Sequence, residues 1–212
     1  MMKFAPEGYP FIAVFAALSA IVFWIGGAGA AAIPLALTAF MLYFFRDPER
    51  IVPERRDLFV SPADGKVIVI KDVHEAEYLM SDVKQISIFM SPFNVHVNRV
   101  PSDGKVTMVK HTKGRFLAAY KDEASVQNEH IDMVLETRYG DVLVRQVAGF
   151  VARRAVCRVK EGDIVQRGER YGIIKFSSRL DIYLPKDTAV KVRIGEMVKA
   201  GETVLGEVAG KG

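Results

Sequence analysis

The first part of the chain is one long apolar run. No charged residue occurs between Pro10 and Phe45, and a helix needs only about 20 apolar residues to cross a bilayer. The run is interrupted by the sequence GGAGAAA at 26–32, and Pro34 follows soon after. Because glycine and proline interrupt helices, the pattern predicts two apolar helices, roughly 11–25 and 33–45, joined by a tight bend.

The placement of this N-terminal helical hairpin leaves alternatives open. It could be a tilted hairpin, a re-entrant hairpin or one long bent span, and a hairpin buried in a soluble protein is the alternative without a membrane. A secretory signal peptide is disfavoured because the apolar run is too long and Lys3 is the only basic residue before it. Basic residues cluster just after the run, at Arg46, Arg50, Arg55 and Arg56. The positive-inside rule therefore predicts a cell-membrane protein whose remaining part lies on the cytoplasmic side.

After Arg56 the pattern changes to short alternating runs such as KVIVI, QISIFM and VHVNRV, separated by Gly, Pro and Asp-Gly pairs. Such runs are typical of many short strands joined by tight turns. We therefore expect a mainly β, antiparallel domain. The predicted organisation is a membrane-associated helical hairpin over 1–50 and a β-rich domain over 51–212.

Two internal repeats refine this fold prediction. PADGKVIVIK (62–71) matches PSDGKVTMVK (101–110), and VKEGDIVQRGE (159–169) matches VRIGEMVKAGE (192–202). Both copies of the second unit keep two glycines, which can adopt turn conformations closed to other residues. A pair of such units predicts a pseudo-twofold barrel-sandwich, as in lipoyl and biotinyl carrier domains.

Composition narrows the class of partner. The chain has 212 residues, half of them hydrophobic, with a net charge of +4 and a pI near 9.1. A mildly basic protein suits an anionic membrane or nucleic acid equally. We predict no nucleic-acid partner, because no basic stripe interleaved with aromatic residues is present. The single cysteine, Cys157, excludes an internal disulfide and a zinc site built from several cysteines, and no metal is expected.

The stretch YGIIKFSSRLDIYLP (171–185) reads as a strand, a polar break and a second strand. Carrier domains display a lysine on the turn between their two halves, but this break offers Ser177, Ser178 and Arg179. Arginine stays protonated and cannot accept an acyl group. A serine in a turn usually bonds to nearby backbone, and a nucleophilic serine needs activation. The scaffold is therefore carrier-like, while the carrier chemistry is missing.

Four stretches, taken in order, resemble the phosphatidylserine decarboxylase family of pyruvoyl-dependent membrane enzymes. FSSRLD (176–181) is similar to the family's processing motif F-G-S-R-x-D. SPADG (61–65) resembles its aspartate motif, and SPFNVHVNRVP (91–101) resembles its histidine motif. The stretch from QNEH to FVARR (127–154) is similar to the family's central segment. The resemblance covers nearly the whole chain, including the apolar hairpin.

The resemblance implies a proenzyme that cleaves itself between Ser177 and Ser178. The two fragments, 1–177 and 178–212, are then expected to remain together as a heterodimer, and a dimer of these is also open. Ser178 becomes a pyruvoyl group, the covalent cofactor that converts phosphatidylserine to phosphatidylethanolamine. The rival interpretation is a membrane-tethered, non-enzymatic barrel-sandwich module with a carrier-like or assembly role.

Two further residues carry over from the same resemblance. Asp64 matches the family's aspartate and His96 its histidine, and both are implied to assist Ser178. Asp103 lies in the same local Asp-Gly setting as Asp64, so only the resemblance favours Asp64.

The chain departs from the family pattern at two positions. Arg99 stands where the longer enzymes carry a second histidine. Either His96 then serves both maturation and decarboxylation, or another group, such as His111 or His130, takes one task. Ser177 stands where the family usually has glycine, which allows positive φ and close approach to the attacked carbonyl.

Overall fold

The computed structural model describes residues 3–55, 57–114, 127–149, 155–175 and 178–208. The chain divides after Glu49 into two compact units.

The first unit is an apolar helical hairpin. A 3-10 turn, Pro6–Gly8, leads into α1, Tyr9–Phe44, which is broken at Gly27 by φ 73° and ψ −175°. The arms on either side run antiparallel, since Ser19 Oγ lies 3.1 Å from Thr38 Oγ1. The predicted bend between two helices is confirmed. The second arm begins earlier than residue 33 because the alanines after the bend are strong helix formers.

Short strands close the base of this hairpin. β1, Lys3–Phe4, pairs antiparallel with β2, Arg46–Asp47. By its length and composition, the helical stretch Pro6–Phe44 is long and apolar enough to cross a membrane. Large apolar side chains cover its surface, and Trp24, beside the bend, is 90% exposed.

The second unit is built from short strands, as the alternating pattern predicts. They are β3 (Leu58–Val60), β4 (Gly65–Glu75), β5 (Ser81–Met90), β6 (Val97–Arg99), β7 (Gly104–Thr112), β8 (His130–Thr137), β9 (Gly140–Ala148), β10 (Ala155–Cys157), β11 (Ile164–Val165), β12 (Arg170–Ile174), β13 (Ser178–Pro185), β14 (Thr188–Val190), β15 (Met197–Val198) and β16 (Val204–Val208).

Every pairing among the described strands is antiparallel. The main sheet has the order β11-β7-β8-β9-β13-β5-β4-β15, and two three-stranded sheets have the orders β10-β12-β6 and β14-β16-β3. The mainly β, antiparallel prediction is confirmed. β13 lies near the middle of the main sheet, between β5 and β9.

The sequence repeats pair crosswise in this unit. β15, in the second copy of the glycine unit, pairs with the start of β4, while β11, in the first copy, pairs with the start of β7. The first copy therefore pairs with the nearer Asp-Gly strand and the second copy with the more distant one. Positive φ occurs at all four repeated glycines, Gly162, Gly168, Gly195 and Gly201.

One face of the main sheet forms the core. Alternate residues of a strand share a face, and Leu180, Ile182 and Leu184 of β13 pack with buried side chains from β5, β8 and β9. Ser178 has the same parity and lies on this core face. Arg179 and Asp181 point to the opposite face, which is also buried.

Replacing Gly201 with alanine is expected to destabilise the second unit by about 1–3 kcal/mol. Gly201 has φ +76°, and an added Cβ would lie 2.9 Å from Cδ of Arg99. Arg99 cannot easily move aside, because its Nη1 donates a 2.8 Å hydrogen bond to the Gly168 carbonyl. Urea unfolding of the full-length chain in detergent measures the change.

Gly195→Ala is the matched control. Gly195 has φ +93°, and only Lys66 Cε approaches an added Cβ, at 3.9 Å. It therefore carries the backbone strain without the clash. Equal losses of stability in both variants would contradict the role given to Arg99.

Candidate active site

Ser178 occupies a fully buried position. It is the first residue of β13 and pairs with Met90 on β5 and Ala148 on β9. Its side chain is fully buried, and Oγ donates a 3.5 Å hydrogen bond to the Met90 sulfur. A thioether is a weak acceptor and no base, so this contact orients the hydroxyl without activating it. Ser177 lies outside the described residues.

His96 is fixed just ahead of β6. Its carbonyl accepts a 3.3 Å hydrogen bond from the Ile174 amide, at the end of β12. Nδ1 of its buried ring lies 3.0 Å from the Asn94 carbonyl. Because a carbonyl can only accept, Nδ1 carries the proton, and the lone pair of the neutral ring is on Nε2.

The segment that carries His96 and the side chain of Ser178 both contact the sulfur atom of Met90. Met90 Sδ accepts from Ser178 Oγ and also lies 3.8 Å from Nδ2 of Asn98, two residues after His96. Oδ1 of Asn98 in turn accepts a 2.8 Å hydrogen bond from Nε2 of Gln146. The structure thus brings the histidine motif and the serine to one buried polar cluster.

Sequence reasoning missed three members of this cluster, Met90, Asn98 and Gln146. Asn98 lies inside the histidine motif and shares a strand face with position 96, so period-two alternation could have identified it. Met90 and Gln146 carry no such signal, because they reach the cluster only through the pairing of distant strands.

Asp64 is held by a different set of groups. Its carboxylate accepts hydrogen bonds of 2.8 and 3.0 Å from Nη2 of Arg50 and one of 2.8 Å from the Ala200 amide. Asp103 makes the equivalent backbone bond, to the Arg167 amide, at 2.8 Å. Both aspartates therefore brace a turn of the repeat, but Asp64 is also buried and paired with an arginine.

The structure gives different surroundings to the spare histidines. His111 is half-exposed and lies 3.1 Å from Glu129. His130 is buried on the sheet face opposite the core, where Nε2 lies 3.3 Å from Oδ2 of Asp132. The register puts His130, opposite Val147 and Arg179, on the face away from the Ser178 hydroxyl. His111, opposite Ile131, shares the core face with Ser178 but lies on β7, three strands away from β13.

A row of buried charges crosses that opposite face. Asp181, Arg145 and Asp132 are successive register partners on β13, β9 and β8. Nε of Arg145 lies 2.6 Å from Oδ1 of Asp132, and Nε of Arg179 lies 2.6 Å from Oδ1 of Asp181. Burial raises the pKa of Asp132, but hydrogen bonds from His130 and Arg145 outweigh it and hold that pKa below its ordinary value.

His130 should make stability depend on pH. Burial lowers its pKa, but the bonds to Asp132 and to the Asn128 carbonyl outweigh that effect and raise the pKa above its ordinary value of 6.5. Because the folded state binds the proton more tightly, this stabilisation is complete below the unfolded pKa and is lost as pH rises through the folded one.

We therefore expect His130→Gln to lose more stability under mildly acidic than under alkaline conditions. Denaturant unfolding of both full-length chains on either side of the histidine pKa range measures the difference. A stability gap that widens as pH rises would contradict this assignment.

The sequence of this chain is similar to a known protein family over most of its length. The family model described as phosphatidylserine decarboxylase matches residues 37–206. A phosphatidylserine decarboxylase proenzyme of Syntrophus aciditrophicus is 49% identical over 204 residues, covering 95% of this chain and 96% of that protein. Proteins of the same name from Geobacter metallireducens and Magnetococcus marinus are 48% and 42% identical, with at least 95% of each chain covered.

Proposed function

Because this chain belongs to the phosphatidylserine decarboxylase family, we propose that it converts phosphatidylserine to phosphatidylethanolamine with a pyruvoyl group made from its own Ser178. The family resemblance seen in the motifs is confirmed, and membership of an enzyme family sets aside the non-enzymatic module. The observation that supports the proposal most directly is the position of Ser178. It lies, fully buried, at the start of a central strand, within the family's processing motif.

Self-cleavage would use groups of the chain and one water molecule. The Ser178 hydroxyl attacks the carbonyl carbon of Ser177, and the peptide bond is replaced by an ester to Oγ. Removal of the Ser178 Cα proton then breaks the Cβ–O bond and releases a chain that ends in the Ser177 carboxylate. The dehydroalanine left at position 178 takes up one water and loses ammonia, which leaves a pyruvoyl group.

His96 is the proposed base for this attack. Its Nε2 lone pair can accept the hydroxyl proton, while Nδ1 is fixed on the Asn94 carbonyl. Asp64 is the proposed supporting carboxylate. Because Nδ1 is on the Asn94 carbonyl and Nε2 takes the hydroxyl proton, Asp64 would act on His96 through its negative charge, and its bonds to Arg50 and Ala200 hold it in place.

His96→Gln is expected to slow fragment formation by about a hundredfold, the scale of one lost general base. Glutamine keeps a polar side chain of similar length but cannot take up a proton near neutral pH. The time course of fragment formation after synthesis measures the effect. Cleavage at an unchanged rate would exclude His96 as the base.

The surroundings of Ser178 fit a pyruvoyl group. Met90 and Ala148 flank it on the two neighbouring strands, and neither side chain carries a nucleophile that would consume a ketone. When formed, the group supplies an electron-accepting carbonyl for the loss of carbon dioxide. The protein's own task is to hold that carbonyl and exclude water, which the burial of this position provides.

The pairing of the strands explains how the two fragments can stay together. Residues 178–212 would contribute β13, β14, β15 and β16, and four pairings among the described strands join them to the rest across the cleavage point. β13 lies between β5 and β9, β15 pairs with β4, and β16 pairs with β3. We propose a heterodimer of residues 1–177 and 178–212 as the mature form.

The apolar hairpin is the proposed anchor in the cell membrane. Its helical stretch is long and apolar enough to cross a bilayer. Basic residues stand on both sides of that stretch, Lys3 before it and Arg46 and Arg50 after it. The positive-inside rule then places the catalytic unit on the cytoplasmic side, where phosphatidylserine would be reached from that leaflet.

Mass analysis of the purified protein under denaturing conditions tests the proposal. A mature enzyme should yield a C-terminal fragment that starts at position 178 and carries a pyruvoyl group in place of the serine amine. The same sample should release carbon dioxide from phosphatidylserine in detergent micelles. An intact chain without this activity would contradict the proposed function.

A further inference from the structure

We propose that Arg179, held by Asp181 and Ser87, anchors the chain end created by self-cleavage and thereby positions the reactive group for decarboxylation. The inference rests on the proposed function. It goes beyond that function because it gives a positioning role to residues other than Ser178, His96 and Asp64.

The contacts of Arg179 restrain it in two directions. Its side chain is 1% exposed and is the largest fully buried side chain among the described residues. Nε lies 2.6 Å from Oδ1 of Asp181, two residues along the same strand. Nη2 donates a 2.9 Å hydrogen bond to Oγ of Ser87, on the neighbouring strand β5. Ser87 is itself fixed by a 3.2 Å bond from Gln85 Nε2.

The need for such an anchor arises only after cleavage. In the intact chain, position 178 is held by covalent bonds on both sides as well as by β-pairing. After cleavage it is a chain end, and chain ends are poorly ordered unless they are tied down. Arg179 is the first side chain of the new fragment, so it is the nearest group that can tie this end to the sheet.

Arginine suits this task better than lysine. The guanidinium presents donors in a rigid fork, so Nε and Nη2 can bind Asp181 and Ser87 at the same time. Lysine has a single nitrogen on a flexible chain, so it would keep the positive charge but could not hold Asp181 and Ser87 in the same two directions. Stability alone does not require the pair, because apolar residues of similar volume often replace a buried ion pair without loss.

The ion pair of Arg145 and Asp132 provides an internal control. Arg145 binds Asp132 on the same face of the sheet, also at 2.6 Å, and both residues are buried. Both residues belong to the fragment 1–177. Arg145 is the register partner of Asp181, but the side-chain hydrogen bonds described for it go to Asp132. Arg145→Lys therefore repeats the chemical change of Arg179→Lys without touching the reactive end.

The test compares cleavage with turnover in the full-length protein, in detergent micelles that contain phosphatidylserine. Fragment formation is followed by mass analysis, and carbon dioxide release is normalised to the amount of fragment that carries the pyruvoyl group. Arg179→Lys is expected to cleave at close to the wild-type rate, while kcat falls about tenfold to a hundredfold with KM unchanged, the scale of a misplaced reacting group. Arg145→Lys should leave kcat near the wild-type value.

A second variant keeps the test valid if Arg179→Lys does not fold. Combining Arg179→Met with Asp181→Leu replaces the pair by apolar side chains, and it should cleave yet show the same low kcat. In the cleaved form, amide hydrogens at the start of β13 should exchange faster than in the unaltered enzyme.

Either of two results would overturn the inference. One is an equal loss of cleavage and turnover in the Arg179 variants, which would mean a general structural role. The other is an equal loss of kcat in Arg145→Lys. Failure of the unaltered chain to cleave would instead overturn the proposed function, and this inference with it.

Discussion

Ser178→Ala is expected to abolish both fragment formation and carbon dioxide release. Alanine has no hydroxyl to attack the Ser177 carbonyl, and it cannot become a pyruvoyl group. The side chain is small and buried beside Met90 and Ala148, so the exchange should leave the sheet intact. Mass analysis and a phosphatidylserine assay on the same preparation measure the two losses together.

Ser177→Ala is the control for that result. Position 177 contributes only its carbonyl to the proposed attack, so this variant should still cleave and decarboxylate. Cleavage that survives Ser178→Ala but fails in Ser177→Ala would show that the adjacent serine is the reactive one.

Asp132→Ala is expected to destabilise the catalytic unit by about 3–5 kcal/mol, the cost of removing one partner from a buried ion pair. Asp132 is fully buried, and its loss leaves Arg145 and His130 enclosed without their shared carboxylate. Urea unfolding in a Ser178→Ala background, which keeps the chain in one piece, measures the change.

The matched double variant removes both charged side chains, Asp132 and Arg145. Combining Asp132→Leu with Arg145→Met leaves an apolar pair in place of the charges, and it should recover much of the stability lost in Asp132→Ala. If the double variant is as unstable as Asp132→Ala, then Asp132 and Arg145 stabilise the unit through partners other than each other.

Local sequence rules predicted the scaffold because its signals are local. The glycine-rich interruption of the apolar run marked the bend, which the structure places at Gly27. The repeated glycine units marked four turns, and all four glycines have positive φ. Alternation identified short antiparallel strands, since a strand with one core face repeats every two residues.

The remaining features depend on contacts between distant parts of the chain. Alternation assigns Asp132 to a solvent-facing position of its strand, but the structure buries it completely because the second face of the sheet is also covered. The ion pair of Arg50 with Asp64 joins the first residue of the second unit to an Asp-Gly turn of the same unit, and no local pattern signals it. The roles of Asp64, His96 and Ser178 remain predictions that the variants above address.

The crosswise pairing of the repeats affects how long the enzyme stays active. Within one uncut chain, the second glycine unit and its partner strand β4 are covalently linked, so their pairing is an intramolecular step that does not depend on protein concentration. After the proposed cleavage between the two units, the same contact would become an encounter of separate molecules. We therefore expect the uncut chain to refold after damage, and we expect a cleaved molecule that has lost its small fragment in a dilute membrane not to refold. The working lifetime of the enzyme is then set by the rate at which the fragment escapes.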